Sequence, residues 1–332
     1  MGDTMRPPAL PRALLLVGLA LTPAPTSTAA PPAVPAVPDA AHFDYRLDPR
    51  EIAPGVHVFV GLREDFTPAN GGNIVNTGFL VGTDGVIVID TGPSRRYGEQ
   101  MLAAIRRVTA LPVVLTINTH HHPDHFLGNQ AFPAATLAAL PETLRGIQKD
   151  GEAFNENLYR MSGDWMKGTE RVTPAQTLAP GRRSVGGRDI EIVALDGHTP
   201  ADLVVIDHAT GTVFAGDLLF HDRAATTPHA NLAHWLAALD RLETIPVKRW
   251  VPGHGDPAGD DAPIRQTRSY LEWLAATMRD GAESGLDMTE MLARPIPQRF
   301  HGLAEVEREY RRSVVHLYPA EEQAVLEKAR AR

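Results

Sequence analysis

The sequence of 332 residues contains no cysteine. This absence excludes a disulfide framework, a thiolate nucleophile and any metal site that depends on cysteine sulfur. Positive charge is also scarce, since 32 lysines and arginines face 40 acidic residues and the formal net charge is −8. No basic stripe interrupts this acidic balance, so neither nucleic acid nor an anionic membrane is expected as a partner.

A long apolar run is missing near the start of the chain, where residues 13–21 form a run of only nine. A membrane-spanning helix needs about 20. Arg6 and Arg12 precede this run and small residues follow it, which predicts a secretory signal peptide over residues 1–29, with a retained membrane anchor as the alternative. Residues 1–29 carry +1, so the remainder carries −9. Export without disulfides favours a bacterial periplasm, and no membrane span is expected after cleavage.

Composition divides the rest of the chain. Residues 30–42 hold four prolines and few side chains able to anchor a core, which predicts an extended tether. Residues 43–260 alternate β-branched runs, Gly-rich turns and helical periodicity, which predicts an α/β layer domain. Residues 140–180 break this alternation and are interpreted as a partly helical insertion. Residues 261–332 are predicted to pack on the domain as helices at 262–278, 289–292, 305–317 and 321–330.

Four potential metal ligands fall within six residues directly after an apolar run: His120, His122, Asp124 and His125. Imidazole and carboxylate are the ligands of Zn²⁺ in hydrolytic sites, where three protein ligands leave one position for water. In an extended segment His120 and His122 share one face, whereas Asp124 and His125 lie beyond a proline that turns the chain. The spacing is compatible with one ion or with two. A polar loop with chance histidines is the alternative, because the chain contains 14 histidines.

Three further positions each follow a strand-like run and adjoin a glycine: His198, Asp217 and His254. Glycine beside a ligand allows the backbone to approach an ion closely. Taken singly, the two histidines are typical of turns and Asp217 is compatible with a helix cap. With the first cluster the set reaches five histidines and two aspartates, which is enough for two three-ligand sites that share one carboxylate.

The ordered set formed by HHHPDH, His198, Asp217 and the PGHG turn resembles the metallo-β-lactamase-fold hydrolase superfamily over about residues 55–256. The resemblance implies a four-layer αββα sandwich with the site at one edge, followed here by the helical C-terminal extension. Carried over position by position, it implies a first ion held by His120, His122 and His198, a second ion held by Asp124, His125 and His254, and Asp217 between them.

The resemblance also bears on residues around the ligands. Asp90 in IDTG matches the aspartate that orients metal ligands in this family. His121 is out of phase within the motif and is expected to point away, whereas His221, four residues after Asp217, is a candidate for substrate contact. His301 and His316 are interpreted as packing or surface histidines. The loop at residues 64–76 and the insertion are expected to shape the pocket.

The missing cysteine excludes the β-lactamases that use a cysteine metal ligand, and Asp217 makes the site more similar to thioesterase-like, lactonase-like and glyoxalase-like members. Further stretches, namely PGVHVFVG, NTHHHPDHFLGN, GDLLF and VPGHG, resemble the SoxH-like branch known as quinoprotein relay system zinc metallohydrolases. Members of that branch are associated with periplasmic quinoprotein or sulfur-oxidation systems, which implies a partner of that kind.

The expected function is hydrolysis of an ester, thioester, lactone or amide-type bond in a small-molecule substrate by two zinc ions. A hydroxide that bridges the ions would be the nucleophile, because metal coordination lowers the pKa of water towards about 7. Asp124 would also pass a proton. Imidazole and carboxylate accept iron or manganese as well. The alternatives are an iron-dependent persulfide or oxygen oxidoreductase, a β-lactamase, and a non-catalytic periplasmic accessory protein.

Overall fold

The computed structural model describes residues 1–2 and 37–330, so residues 3–29 of the predicted signal peptide and residues 30–36 of the predicted tether lie outside the described residues. The helices of the described part are α1 (Arg95–Val108), α2 (Pro123–Phe126), α3 (Pro141–Ser162), α4 (Leu232–Glu243), α5 (Ala262–Glu283), α6 (Met288–Leu292) and α7 (Val306–Arg330). The strands are β1 (Arg50–Ala53), β2 (Val56–Phe59), β3 (Thr77–Val81), β4 (Val86–Ile89), β5 (Val113–Ile117), β6 (Leu137–Ala139), β7 (Gln176–Thr177), β8 (Gly181–Val185), β9 (Arg188–Leu195), β10 (Asp202–Asp207), β11 (Thr212–Phe220) and β12 (Arg249–His254).

The strands form two sheets. The first has the order β1-β2-β3-β4-β5-β6-β7, with antiparallel pairing from β1 to β4 and parallel pairing from β4 to β7. The second has the order β12-β11-β10-β9-β8, and within it only β11 and β12 are parallel. Because parallel neighbours end at the same edge of a sheet, the segments after β4 and β5 emerge together, and so do the ends of β11 and β12.

Three apolar clusters show how the layers stack. The first sheet packs against α1 through residues such as Phe79, Tyr97 and Met101. The two sheets face each other through a second cluster that includes Ile117 and Leu203. A third cluster joins the outer face of the second sheet to α4, α5, α6 and α7. The layers are therefore helix, sheet, sheet and helix, and the predicted αββα architecture is confirmed.

Helix α1 illustrates how the sequence specifies these layers. The Ser94 hydroxyl accepts a hydrogen bond from the Tyr97 amide and caps the helix start. Residues at helical spacing, including Met101 and Ile105, are buried on the sheet. Arg106 and Arg107 lie in the last turn, where positive charge is favourable beside the carbonyl end of the helix dipole.

The C-terminal region differs from the prediction in one respect, because the helices predicted at 305–317 and 321–330 form the single helix α7 with Pro319 inside it. Proline in a helix interior costs about 3 kcal/mol. Tyr310, Val314 and Tyr318 bury the preceding turns in the third cluster, and the Tyr318 hydroxyl donates to the Leu286 carbonyl. Tertiary packing thus offsets the local penalty.

The insertion at 140–180 is partly helical, as predicted, because α3 occupies 22 of its residues. None of the helices in the described part of the chain combines the length and the apolarity that crossing a membrane requires.

Candidate metal centre

The seven predicted ligands meet where the two sheets end at a common edge. His120 and His122 lie in the segment between β5 and α2, and Asp124 and His125 lie within α2. Asp217 lies within β11, His254 ends β12, and His198 occupies the turn between β9 and β10. None of the seven residues is more than 8% exposed. Side chains up to 134 residues apart in sequence, from His120 to His254, are therefore brought into one buried polar cluster.

A first group contains His120, His122, His198 and Asp217, which offer one ligand atom each, all within 4.8 Å of one another. The Nδ1 atom of His122 lies 2.8 Å from the Nε2 atom of His198. Asp217 Oδ2 lies 3.2 Å from His198 Nε2 and 3.9 Å from His120 Nε2. Three imidazoles and a carboxylate thus converge on one point.

A second group contains Asp124, His125 and His254. The Oδ2 atom of Asp124 lies 3.4 Å from His254 Nε2 and 3.9 Å from His125 Nε2. Asp217 reaches this group too, with Oδ1 at 3.1 Å from His125 Nε2 and Oδ2 at 3.3 Å from His254 Nε2. Asp217 is therefore in contact with histidines of both groups.

The polar atoms that face the centre fit bound cations. His120 Nε2, His125 Nε2 and Asp217 Oδ1 are buried without a partner in hydrogen-bond geometry, a costly state for polar atoms unless another group binds them. Burial and the neighbouring imidazoles hold the pKa values of His120 and His122 well below the usual range, so both are neutral, as a metal ligand must be. Burial disfavours protonation of His125, but the negative charges of Asp217 and Asp90 favour it more strongly, and the pKa of His125 is raised.

Asp90 orients one imidazole of each group. Its Oδ2 atom lies 2.8 Å from His125 Nδ1, and its two oxygens accept from the amide and the hydroxyl of Thr119 at 2.8 Å each. The Thr119 hydroxyl in turn lies 3.1 Å from His120 Nδ1. With hydrogen on Nδ1 of both histidines, both Nε2 atoms face the centre as acceptors. The predicted supporting position of Asp90 agrees with this geometry.

His254 is oriented by the loop at residues 64–76. Its Nδ1 atom lies 2.8 Å from the Ile74 carbonyl, which leaves Nε2 for the centre. Asn76 clamps the turn around His254, because its amide nitrogen donates to the carbonyls of Pro252 and Gly255. A side chain at position 253 is excluded by steric overlap, because a Cβ atom on Gly253 would lie 1.9 Å from Asp217 Oδ1.

The turn that carries His198 is closed by Asp202. One carboxylate oxygen accepts from the amides of His198 and Thr199 at 3.1 and 3.0 Å, and the other accepts from the Thr199 hydroxyl. Burial raises the pKa of Asp202 to about 6 despite these hydrogen bonds and the proximity of His198. The His198 ring packs against Trp235 with centroids 4.9 Å apart. Sequence reasoning missed Asp202, although its position four residues after His198 in the GHTPAD turn was a readable signal.

Other histidines fall in different places from those expected. His121, which was expected to point away, belongs to neither of the two groups, but with His122 and His229 it forms a further set whose ligand atoms lie within 4.8 Å of one another. Burial lowers the pKa of His121 to about 4. The structure does not bring His221 to the ligand cluster, because its Nδ1 atom lies 2.7 Å from the Asp256 carbonyl and its amide donates to the His254 carbonyl. His316, interpreted as a packing or surface histidine, lines the cavity over the centre. His229 was missed altogether.

A cavity of about 300 Å³ opens onto the centre and exposes His122, Asp124, Asp217 and His254 at its base. Four segments outside the ligand motifs line it, and one of them is the stretch after β11 that contributes Arg223, Pro228 and His229. Phe66 and Ile74 come from the loop at 64–76, Phe154, Leu158 and Met161 come from α3, and Arg312 and His316 come from α7. The loop and the insertion thus shape the pocket as predicted, and the C-terminal helix lines it as well.

The family model of the metallo-beta-lactamase superfamily matches residues 70–254. This stretch covers more than half of the chain and includes all seven ligand candidates. The chain belongs to the metallo-beta-lactamase superfamily.

Curated relatives are distant. A linear primary-alkylsulfatase of Pseudomonas sp. is 20% identical over 278 residues, covering 70% of this chain and 52% of the relative. A hydroxyacylglutathione hydrolase of Cyanothece sp. is 26% identical over 179 residues, covering 49% of this chain and 61% of the relative. The chain therefore spans a little over half the length of the curated relatives it matches.

Solved structures support the same fold. A metallo-beta-lactamase from Pontibacter korlensis superposes with a TM-score of 0.55 at 22% identity, covering 68% of this chain and 99% of the other. A double mutant of a sec-alkyl sulfatase superposes with a TM-score of 0.61 at 16% identity, covering 82% of this chain and 50% of the other. These superpositions show a shared fold. Sequence identity at this level leaves the substrate open.

Proposed function

We propose that this protein is a dinuclear zinc hydrolase that cleaves an ester, thioester, lactone or amide-type bond. The observation that carries the proposal is the position of Asp217, whose two oxygens approach histidines of both groups. Its own Oδ1 atom and the Nε2 atoms of His120 and His125 are buried without a partner in hydrogen-bond geometry. Superfamily membership and the hydrolase names of the curated relatives support the same reaction class.

His120, His122 and His198 would hold one ion, Asp124, His125 and His254 a second, and Asp217 would contact both. Bound zinc supplies an acidified water and a Lewis acid for the carbonyl oxygen. Asp124 lines the cavity, and its carboxylate would accept a proton from water and return it to the leaving group. No serine or cysteine nucleophile is required by this arrangement.

The cavity favours a small substrate with an apolar part. Phe66, Phe154, Leu158 and Met161 offer an apolar wall, and removal of this surface from water contributes about 25 cal/mol per Å² buried. Arg312 and His316 add polar groups to the same cavity. The relatives, an alkylsulfatase and a hydroxyacylglutathione hydrolase, add alkyl sulfates and hydroxyacylglutathione to the substrates worth testing.

The decisive experiment pairs metal analysis with a substrate panel. We expect about two zinc ions per chain after purification, and zinc-dependent hydrolysis of one class among esters, thioesters, lactones, alkyl sulfates and cephalosporins. His120→Ala and Asp217→Ala should lose zinc and hydrolysis together. His301→Ala, which changes an exposed histidine hydrogen-bonded to the Ile296 carbonyl, is the matched control. Full hydrolysis by metal-free protein, or iron with oxygen uptake, would contradict the proposal.

We further propose export to a periplasm and action beside a quinoprotein or sulfur-oxidation partner. The support is the composition of residues 1–29 and the resemblance of the motifs to the SoxH-like branch. Fractionation of cells that express the full chain tests export. Recovery of an uncleaved protein in the cytoplasm would contradict it.

A further inference from the structure

His229 lies beside the first ligand group without belonging to it. It occupies the segment between β11 and α4, and its Nδ1 atom lies 2.8 Å from His122 Nε2. Its ring packs edge-on against Phe154 of α3, with centroids 5.9 Å apart. Unlike the ligands it is exposed, and it lines the cavity.

The hydrogen-bond chain through His122 fixes where hydrogen sits on His229. His122 turns Nδ1 towards His198 Nε2, on the inner side of the first group, and turns Nε2 towards His229. A neutral imidazole carries one hydrogen, so His122 with Nδ1 as its metal-facing acceptor must carry hydrogen on Nε2. The Nδ1 atom of His229 is then the acceptor, and its own hydrogen must lie on Nε2.

From this geometry we infer that His229 is a positioning residue that locks His122 in its metal-binding tautomer and thereby presents an Nε2–H donor to the substrate cavity. The inference rests on the proposed metal-binding function. Within the described part of the chain, His229 Nε2 has no protein hydrogen-bond partner, so the donor is free for an acceptor oxygen of a bound substrate. Metal binding by His122 Nδ1 and the hydrogen on His229 Nε2 are thus coupled through the imidazole of His122.

Two readouts test this inference without relying on turnover. Nitrogen-15 spectra of the zinc-loaded protein, with the His229 signals assigned by their loss in His229→Gln, should show hydrogen on Nε2 and an acceptor at Nδ1. Zinc competition with a chelator should show that His229→Phe weakens the first ion roughly 10-fold, because partners of metal-bound histidines contribute about 10- to 100-fold in affinity. His229→Gln, which keeps an acceptor and a donor, should recover most of that loss.

The controls separate positioning from packing. His229→Phe keeps an aromatic ring beside Phe154, and His301→Phe changes an exposed histidine away from the cavity. Hydrogen on Nδ1 of His229, unchanged zinc affinity in His229→Phe, or an equal loss in His229→Gln would each overturn the inference. If no zinc binds to the wild-type protein, the proposed function fails first, and the spectra of the apo protein then show whether the contact between the two histidines exists on its own.

Discussion

Replacing Asp90 with asparagine is expected to weaken the second metal more than the first. Asp90 accepts three hydrogen bonds of 2.8 Å, two from Thr119 and one from His125 Nδ1. An amide of the same shape offers one oxygen and one NH₂ group, so a donor faces either His125 or Thr119. If it faces His125, hydrogen shifts to His125 Nε2 and the imidazole loses the lone pair that binds metal.

The size of the effect follows from the role of such partners. Loss of a carboxylate that orients a ligating histidine costs about 10- to 100-fold in metal affinity, which corresponds to about 1.4–2.7 kcal/mol. The backbone is not expected to suffer, because Asp90 has a φ of +57° and asparagine tolerates this region. The first metal should weaken less, since Asp90 reaches His120 only through the Thr119 hydroxyl.

Zinc competition with a graded series of chelators measures both affinities, and the unfolding midpoint of the apo protein checks the fold. Asp84→Asn, which changes an exposed carboxylate in the turn before β4, is the matched control. Wild-type affinity for both zinc ions in Asp90→Asn would refute the argument that Asp90 sets the ligand tautomers. An equal loss of affinity for both zinc ions would refute the argument that the direct contact of Asp90 with His125 matters more than its indirect contact with His120 through Thr119.

Three further predictions concern other contacts. Glu309→Gln should lower the free energy of unfolding by about 3–5 kcal/mol in urea titrations, because it leaves the buried guanidinium of Arg223 unpaired, whereas the exposed Glu307→Gln should change it little. Gly253→Ala should release zinc on dialysis, since its Cβ atom displaces Asp217; retained zinc would contradict the close contact. Burial opposes ionisation of Asp65, but the Phe66 amide and Arg308 hold its pKa below the usual value, so its stabilisation is present above about pH 4 and lost as pH falls through the lower native pKa. The stability difference between wild type and Asp65→Asn should therefore shrink as the pH falls below about 4.

The ligand cluster was predictable from sequence because the ligands lie at strand ends, in a turn or in a short helix after a strand, where periodicity, glycine and proline mark the local structure. Asp217 lies within β11, where Gly216 with a positive φ marks it. Asp90, His198 and His254 all have such local signals. His229 has none, since its role depends on a contact with His122 more than 100 residues away. Long-range side-chain contacts of this kind have no signature in spacing.

In the C-terminal region, too, a long-range contact decides a structural feature that the local sequence did not predict. Pro319 and the residues around it predict a break, and local propensity supports that prediction. Burial of Tyr318 against other helices decides otherwise, because tertiary packing outweighs a single residue's preference. The contribution of Arg312 and His316 to the cavity could not be predicted for a similar reason. The sequence predicts a helix at these residues, but it does not indicate which part of the protein that helix packs against.

The network around Glu309 has a consequence for the boundaries of the enzyme. Asp65 in the loop beside the centre is bound by Arg308 and Arg312 of α7, and Arg312 and Arg223 share the carboxylate of Glu309. A chain cut at residue 254, where the family match ends, would keep all seven candidate ligands, but it would lose Arg312 and His316 from the cavity lining and the two arginines that bind Asp65. The matched stretch therefore contains the candidate ligands, whereas α7, which lies beyond it, completes the cavity beside them.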